Sequence, residues 1–416
     1  MTDTAVLTTA DEAVDDRIVC HVDNQRVHVI KTHLQKHHPE WTIERYMAEF
    51  PGAPLMSKTA EELLKKRERE KAEAAKRAAE QTETRAALMT SFGDGSGVSR
   101  SSVVVKQEFF HEVFELGKAS AALNAKGQPI PISILTGHDP ESENYIPDVD
   151  RNYIFNIDLL KKVIVGLQLN MPIYLWGMHG TGKTTVLEQA CARTRRPFMR
   201  VQHTVNMQES DVLGQWTVKD GQTVFQLGPL PLAMLNGWFY CADEYDFAMP
   251  SVTAVYQPVL EGKPLVIKDA PPIFRKIVPH PEFRFGATGN TNGSGDETGL
   301  YQGTLVQNAA NYSRFKITEE VKYMEPKIEE SILVSVTRID KATATKMVKF
   351  ANDVRKLFAD GKISMTISPR ELISAAQIGI AYGANFVLGL ELAFANRLTR
   401  VDRKTVQEYL QRLMGA

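Results

Sequence analysis

The sequence predicts an α/β core, a parallel sheet with helices on both faces, joined to a C-terminal helical lid and a small N-terminal domain. Three observations carry this. From about Val103, apolar strand-like runs alternate with helical patterns: 173–176, then 183–195, then 238–242. Strands that alternate with helices indicate a parallel sheet. After about Thr318 the pattern is mostly helical to the end of the chain. Residues 17–57 are a compact, His-rich stretch, set apart from the core by a charged run and a Gly/Ser-rich segment.

In chain order, residues 1–16 read as an acidic tail without an apolar signal segment. Residues 17–57 are expected to form the small domain. Within 58–102, the run 58–87 is rich in Ala, Glu, Lys and Arg and lacks Gly and Pro, so it reads as an exposed helix. A solvated spacer and a partner-binding helix are both open readings of it. Residues 91–102 read as a linker. The core is expected over 103–317 and the lid over 318–416.

At 416 residues with 43% hydrophobic and 24% charged side chains, the chain can bury a sizeable core. A net charge of −1 gives no global pull toward nucleic acid or anionic membranes. No run approaches a membrane span. Three cysteines, Cys20, Cys191 and Cys241, cannot build a disulfide framework and fit a reducing, cytoplasmic setting. Cys191 and Cys241 read as core residues.

The stretch Gly177-Met-His179-Gly180-Thr181-Gly182-Lys183-Thr184-Thr185 fits G-x-x-x-x-G-K-[ST] and lies between an apolar run and a helical one. That is the context a phosphate-binding loop requires. Its glycines let backbone N–H groups turn inward, and the helix start favours anions. Lys183 would reach the β- and γ-phosphates of ATP, and Thr184 would ligate Mg²⁺. Sixty residues beyond Lys183, an apolar run ends in Asp243-Glu244. Asp243 would hold Mg²⁺, directly or through water, and Glu244 would polarise the attacking water.

A third strand-like run ends at Asn290, which fits the sensor 1 position of AAA+ ATPases beside Glu244. Arg314, in Tyr312-Ser-Arg-Phe315, fits an arginine finger, which would stabilise charge on the γ-phosphate. An ordinary surface arginine is the alternative. Arg370, at a helix start after Pro369, fits sensor 2, with an exposed cap residue as the alternative.

These motifs resemble the ATPase subunits of aerobic cobaltochelatases (CobS-like), a MoxR-group AAA+ family. The stretches that carry the likeness are 149–155, the phosphate loop, 242–246, 279–283 and the unusual Gly295-Asp-Glu-Thr-Gly-Leu-Tyr-Gln-Gly-Thr304, with 28–57 at the N-terminus. The resemblance implies a hexameric ring in which Arg314 acts on the neighbour's ATP. It implies two hairpin insertions, fitted by 216–226, turning at Asp220-Gly221, and by 265–278. It also implies a von Willebrand A-type partner (CobT-like) and a large third subunit that inserts Co²⁺ into a corrin ring. One departure is Ser313, where the group usually has Asp before the Arg.

Five of the ten histidines lie between residues 21 and 38. Cys20, Asp23, His33 and His38 have the spacing C-x2-D-x9-H-x4-H, which resembles a Ros/MucR-type zinc finger with Asp for the second Cys; His37 could stand in for His38. Zn²⁺ accepts such ligands. A metal-free His-rich domain is the alternative.

Three functions stay open at this stage. They are a cobaltochelatase-type ATPase, a MoxR-type protein-remodelling ATPase with a von Willebrand A partner and no chelatase role, and a nucleic-acid-binding protein with an ATP switch. The neutral charge weighs against the third.

Overall fold

The computed structural model describes residues 16–62, 65, 69, 103–117, 120–124, 126–219, 221–296 and 299–415. Most of the predicted charged helix 58–87, beyond a helical start at 58–62, lies outside the described residues, as does the whole linker 91–102. The chain divides into two units, Met1–Val98 and Ser99–Ala416.

In the smaller unit a two-stranded antiparallel ladder pairs Ile18–Val19 with Arg26–Val27. Helices Ile30–His37 and Ile43–Glu49 follow, the second capped by Thr42, which accepts from the Arg45 N–H. Cys20, Ile30, Leu34 and Tyr46 are fully or almost fully buried and form its core, with Trp41 and Phe50 packed around them. So few buried side chains make a small core that a metal staple would strengthen.

In the larger unit five parallel strands form one sheet: β1 (Ile173–Trp176), β2 (Phe198–Gln202), β3 (Phe239–Asp243), β4 (Arg284–Gly289) and β5 (Ile317–Glu320). Their order is β5-β1-β4-β3-β2. Strands buried on both faces need apolar residues at every position, and β3 shows why. Phe239 and Cys241 point into one layer, with α1 (Ile157–Leu169) and α2 (Lys183–Arg193), while Tyr240 and Ala242 point into the other. Alternation along a strand sends successive side chains to opposite faces. Gly286 in β4 is glycine for space, since a Cβ there would stand 2.4 Å from the Phe239 ring. Cys191 and Cys241 are buried and unpaired.

The expected boundary at 317/318 cuts β5. Ile317 is that strand's first residue, its four positions alternate in burial, and the helical region starts only at Pro326. A four-residue, half-exposed strand at the sheet's edge carries too little apolar signal to be separated from the lid by sequence pattern.

The lid contains α3 (Pro326–Thr337), α4 (Lys341–Ala359), α5 (Pro369–Ala381), α6 (Phe386–Ala393) and α7 (Arg400–Met414). They enclose Met347, Phe350, Val354, Leu372, Phe394 and Val406. Both expected hairpins are formed, Gly214–Lys219 with Gln222–Leu227 and Leu265–Val266 with Lys276–Ile277. The Trp216 indole donates to the Asp269 carbonyl at 2.8 Å and so ties the two together. No helix among the described residues is long and apolar enough to cross a membrane.

Candidate active site

The phosphate loop leaves the C-terminal end of β1 and enters α2. Gly177, Gly180 and Gly182 all have positive φ. A Cβ on Gly180 would also stand 2.4 Å from the Ser368 Cβ, so the loop is closed over by the start of α5. The Lys183 ammonium donates to the carbonyls of Gly177 (2.7 Å) and Met178 (2.9 Å) and lies 3.4 Å from Asn290 Oδ1. Burial pushes it down to about 8, against the carboxylates of Asp246, Asp243 and Glu244, which favour its charge.

Asp243 ends β3 next to the loop. Its Oδ1 accepts from Thr184 Oγ1 at 2.8 Å and from Thr288 Oγ1 on β4. Its Oδ2 accepts from Arg200 on β2. Burial alone would raise its pKa, but these donors hold it below the usual carboxylate value. Glu244 adopts a left-handed conformation, φ 52°, as the chain turns off the strand. Its Oε2 accepts from Gln202 Nε2 at 3.2 Å.

Asn290 follows β4 directly, and its N–H, with the N–H and hydroxyl of Thr291, donates to Asp246 Oδ2 at 2.8 to 3.0 Å. Tyr301, from the unusual 295–304 stretch, also meets the phosphate loop. The Tyr301 hydroxyl accepts from the His179 N–H at 2.9 Å. Thr181 is buried and donates to the Met178 carbonyl.

Thr185, Gly180 and Gly182 line a cavity of about 310 Å³ with Tyr153, Ile154, Leu333 and Arg370. A larger cavity, about 790 Å³, reaches Met178 and Thr181 from the side of Tyr323 and Arg355. The smaller one is the better nucleotide candidate, because apolar walls there meet the loop's glycines and an exposed cation.

The donor set fits a triphosphate and Mg²⁺. The hydroxyl of Thr184 and the carboxylate of Asp243, both hard oxygen ligands, lie within hydrogen-bond distance, beside a loop in which Gly177 and Gly180 have no room for a Cβ. Lys183, Thr184, Asp243, Glu244 and Asn290 are thus brought together, and Arg370 borders the same loop.

Arg314 is not. It lies three residues before β5, whereas the loop leaves the other end of β1, and the two strands run parallel with Ile317 paired to Ile173. Arg314 instead ion-pairs with Glu261 at 2.7 Å and donates to the Ala310 carbonyl.

Sequence reading gave no role to Arg200, Gln202 and Thr288, nor to Asp246 and Tyr301, which it noted only within stretches that carry the family likeness. The available signal was the appearance of polar residues at alternate positions where β2 and β4 end.

In the N-terminal unit, Cys20, Asp23 and His33 form a group able to hold a metal, with ligand atoms all within 4.8 Å of one another. Asp23 Oδ2 lies 2.8 Å from His33 Nε2 and 3.0 Å from His38 Nε2. His37 packs against His33 at a tilt, with ring centroids 4.9 Å apart. Hydrogen bonding to Asp23 raises the His38 pKa.

Comparison with known proteins decides the family. Residues 172–315 match the AAA domain of the dynein-related subfamily, and residues 329–416 match the CbbQ/NirQ/NorQ C-terminal domain. The chain is 34% identical over 285 residues to the aerobic cobaltochelatase subunit CobS of a Sinorhizobium species, covering 66% of this chain and 85% of that protein. The chain belongs to the MoxR-family AAA+ ATPases. It is 26% identical to NorQ of Paracoccus denitrificans over 59% of this chain and 86% of that one. Among solved structures, the RuvB Holliday junction branch migration motor of Thermotoga maritima aligns at 16% identity and a TM-score of 0.40, over 65% of this chain and 81% of that one. Membership makes this MoxR-family chain an ATP-hydrolysing enzyme, with an AAA+ core and a C-terminal helical region.

Proposed function

We propose that this ATPase works as a ring of six copies that hydrolyses ATP between subunits and remodels a partner protein of the von Willebrand A type. The observation that supports it best is the split of the machinery. Lys183, Thr184, Asp243, Glu244 and Asn290 meet at one end of the sheet, while Arg314 sits at the other end of β5. An Arg that serves as a finger from there must reach a neighbour's nucleotide.

In this reading Lys183 and the loop amides, from Gly177 to Thr185, bind the phosphates. Thr184 and Asp243 would hold Mg²⁺, which when bound would screen charge on the transferring phosphoryl group. Glu244 takes up the proton of the attacking water, Asn290 orients that water, Arg314 acts in trans and Arg370 acts from the lid. A cobaltochelatase-type role is the finer reading within the family, supported by the 34% identity to CobS and by the 295–304 stretch. There the ring would serve a large subunit whose substrates are Co²⁺ and a corrin.

The test is capture with the Glu244→Gln full chain in ATP and in ADP. The expected result is a ring that retains a chain with a von Willebrand A domain in ATP only. A protein that stays monomeric in ATP, or a partner held equally in both nucleotides, overturns the reading. Recovery of a large chelatase subunit in the same complex decides for the finer role.

We also propose that Cys20, Asp23, His33 and His38 bind Zn²⁺ and staple the small N-terminal core. Metal analysis of the full chain should find about one zinc per chain, lost in Cys20→Ser. Zinc absent from the parent, or unchanged in the variant, would sink the assignment.

A further inference from the structure

Strand β2 ends on an exposed face. Arg200 and Gln202 are two residues apart, so they project on the same side, and both are exposed while Phe198 and Met199 are buried. Arg200 reaches across to β3, with Nε 2.7 Å and a terminal nitrogen 2.5 Å from Asp243 Oδ2. The second carboxylate oxygen accepts from Thr184 and Thr288. Both oxygens by which Asp243 could meet a metal are therefore engaged, one of them by a cation.

The two partners differ in how they are held. The Asp243 side chain is 5% exposed and the Arg200 side chain 54%. A buried carboxylate without a counter-charge is strongly destabilising, so Asp243 requires a cation whether or not a metal is present. A mostly exposed guanidinium can leave with little loss of packing. Arginine also suits this task, since it is always charged and two of its nitrogens converge on the one oxygen.

We infer that Arg200 is a resident counter-ion that competes with Mg²⁺ for Asp243 and so sets the Mg²⁺ concentration at which the nucleotide site loads. The inference rests on the reading of Asp243 as the carboxylate on the metal side. In the metal-free protein Arg200 neutralises Asp243. On loading, one cation replaces the other, and the buried charge is compensated in both states. Its loss removes the competitor, so metal affinity rises, and it also strands Asp243 when metal is withheld.

The experiment measures the melting temperature of the full chain at saturating ADP across a Mg²⁺ titration, with Mn²⁺ binding followed in parallel by the paramagnetic signal of the free ion. For Arg200→Gln, the half-saturating metal concentration should fall by about threefold or more, the scale expected of one partly screened charge. Its melting temperature in chelator should drop below that of the parent and recover with metal. Arg200→Lys keeps the charge and should stay within about twofold of the parent.

An unchanged or higher metal requirement in Arg200→Gln overturns the inference. So does an equal shift in Arg200→Lys, which would take charge out of the explanation. Asp243→Asn separates the two levels. If it leaves the metal dependence of nucleotide binding intact, the reading of Asp243 falls. If it removes that dependence while Arg200→Gln changes nothing, only the role of Arg200 falls.

Discussion

In the proposed mechanism Lys183 holds the nucleotide and Glu244 serves its cleavage, and their surroundings predict different defects. Lys183 is buried and donates to two loop carbonyls. Hydrogen bonds of charged groups contribute about 1.5–3 kcal/mol each, so Lys183→Ala should weaken ATP binding by at least about tenfold. Glu244 lies off the loop, bonded to Gln202. Glu244→Gln should keep ATP affinity within about threefold and lower turnover by about 10²-fold or more, the usual weight of a general base. Equilibrium binding of a fluorescent ATP analogue beside steady-state phosphate release checks both. Near-normal turnover in Glu244→Gln would falsify its role. These two residues were legible because each belongs to a motif that is continuous in sequence. Arg200 and Thr288 were not, although they touch Asp243 as closely as Thr184 does. Their place depends on which strands are neighbours and in what register, Arg200 beside Cys241 and Ala287 beside Ala242, and a single sequence does not state register.

At the scale of elements, α5 joins the lid to the phosphate loop. Its N-terminus is a full capping box: the Ser368 side chain accepts from the Glu371 N–H, and Glu371 accepts from the Ser368 N–H at 2.7 Å. Glu371 also pairs with Arg397 and lies 3.9 Å from the His179 ring. Burial opposes the charge of Glu371, yet His179 and the Ser368 donors hold its pKa below the usual value. Loss of a cap side chain costs about 1 kcal/mol, so Ser368→Ala should lower the melting temperature modestly and leave the fold intact. Gly180→Ala is a different case. It combines a φ of +72° with a 2.4 Å approach to Ser368, and it should abolish nucleotide-dependent stabilisation in the same melting assay. Ser-Pro-Arg-Glu was readable as a helix start because capping is local. The hairpin that pairs Lys219 with Gln222 was readable for the same reason. Strand β5 was not, since its identity comes from pairing with β1 rather than from its own four residues.

At the scale of the whole molecule, the proposed finger Arg314 stands apart from the phosphate loop of its own chain. Pairing of β5 with β1 places it beyond the start of one strand while the phosphate loop follows the end of the other. Four strand residues at about 3.3 Å each keep them more than about 10 Å apart along the sheet. Rotation of one side chain, held by Glu261 and the Ala310 carbonyl, does not cross that span. If Arg314 is a finger, closure of a ring must bring it to the next subunit, in a head-to-tail interface that repeats until it closes. Arg314→Ala and Glu244→Gln should then each be inactive alone, because every site lacks either the finger or the base. Mixed rings differ. Where the site of an Arg314→Ala subunit faces the finger of a Glu244→Gln subunit, all groups are present. Equal random mixing makes about one interface in four complete, so ATPase activity should recover toward that fraction of the parent's and track subunit exchange. A finger acting within its own chain predicts no recovery at any ratio. Recovery in the mixture, set against two inactive parents, therefore places the reaction between subunits and makes assembly a condition of catalysis.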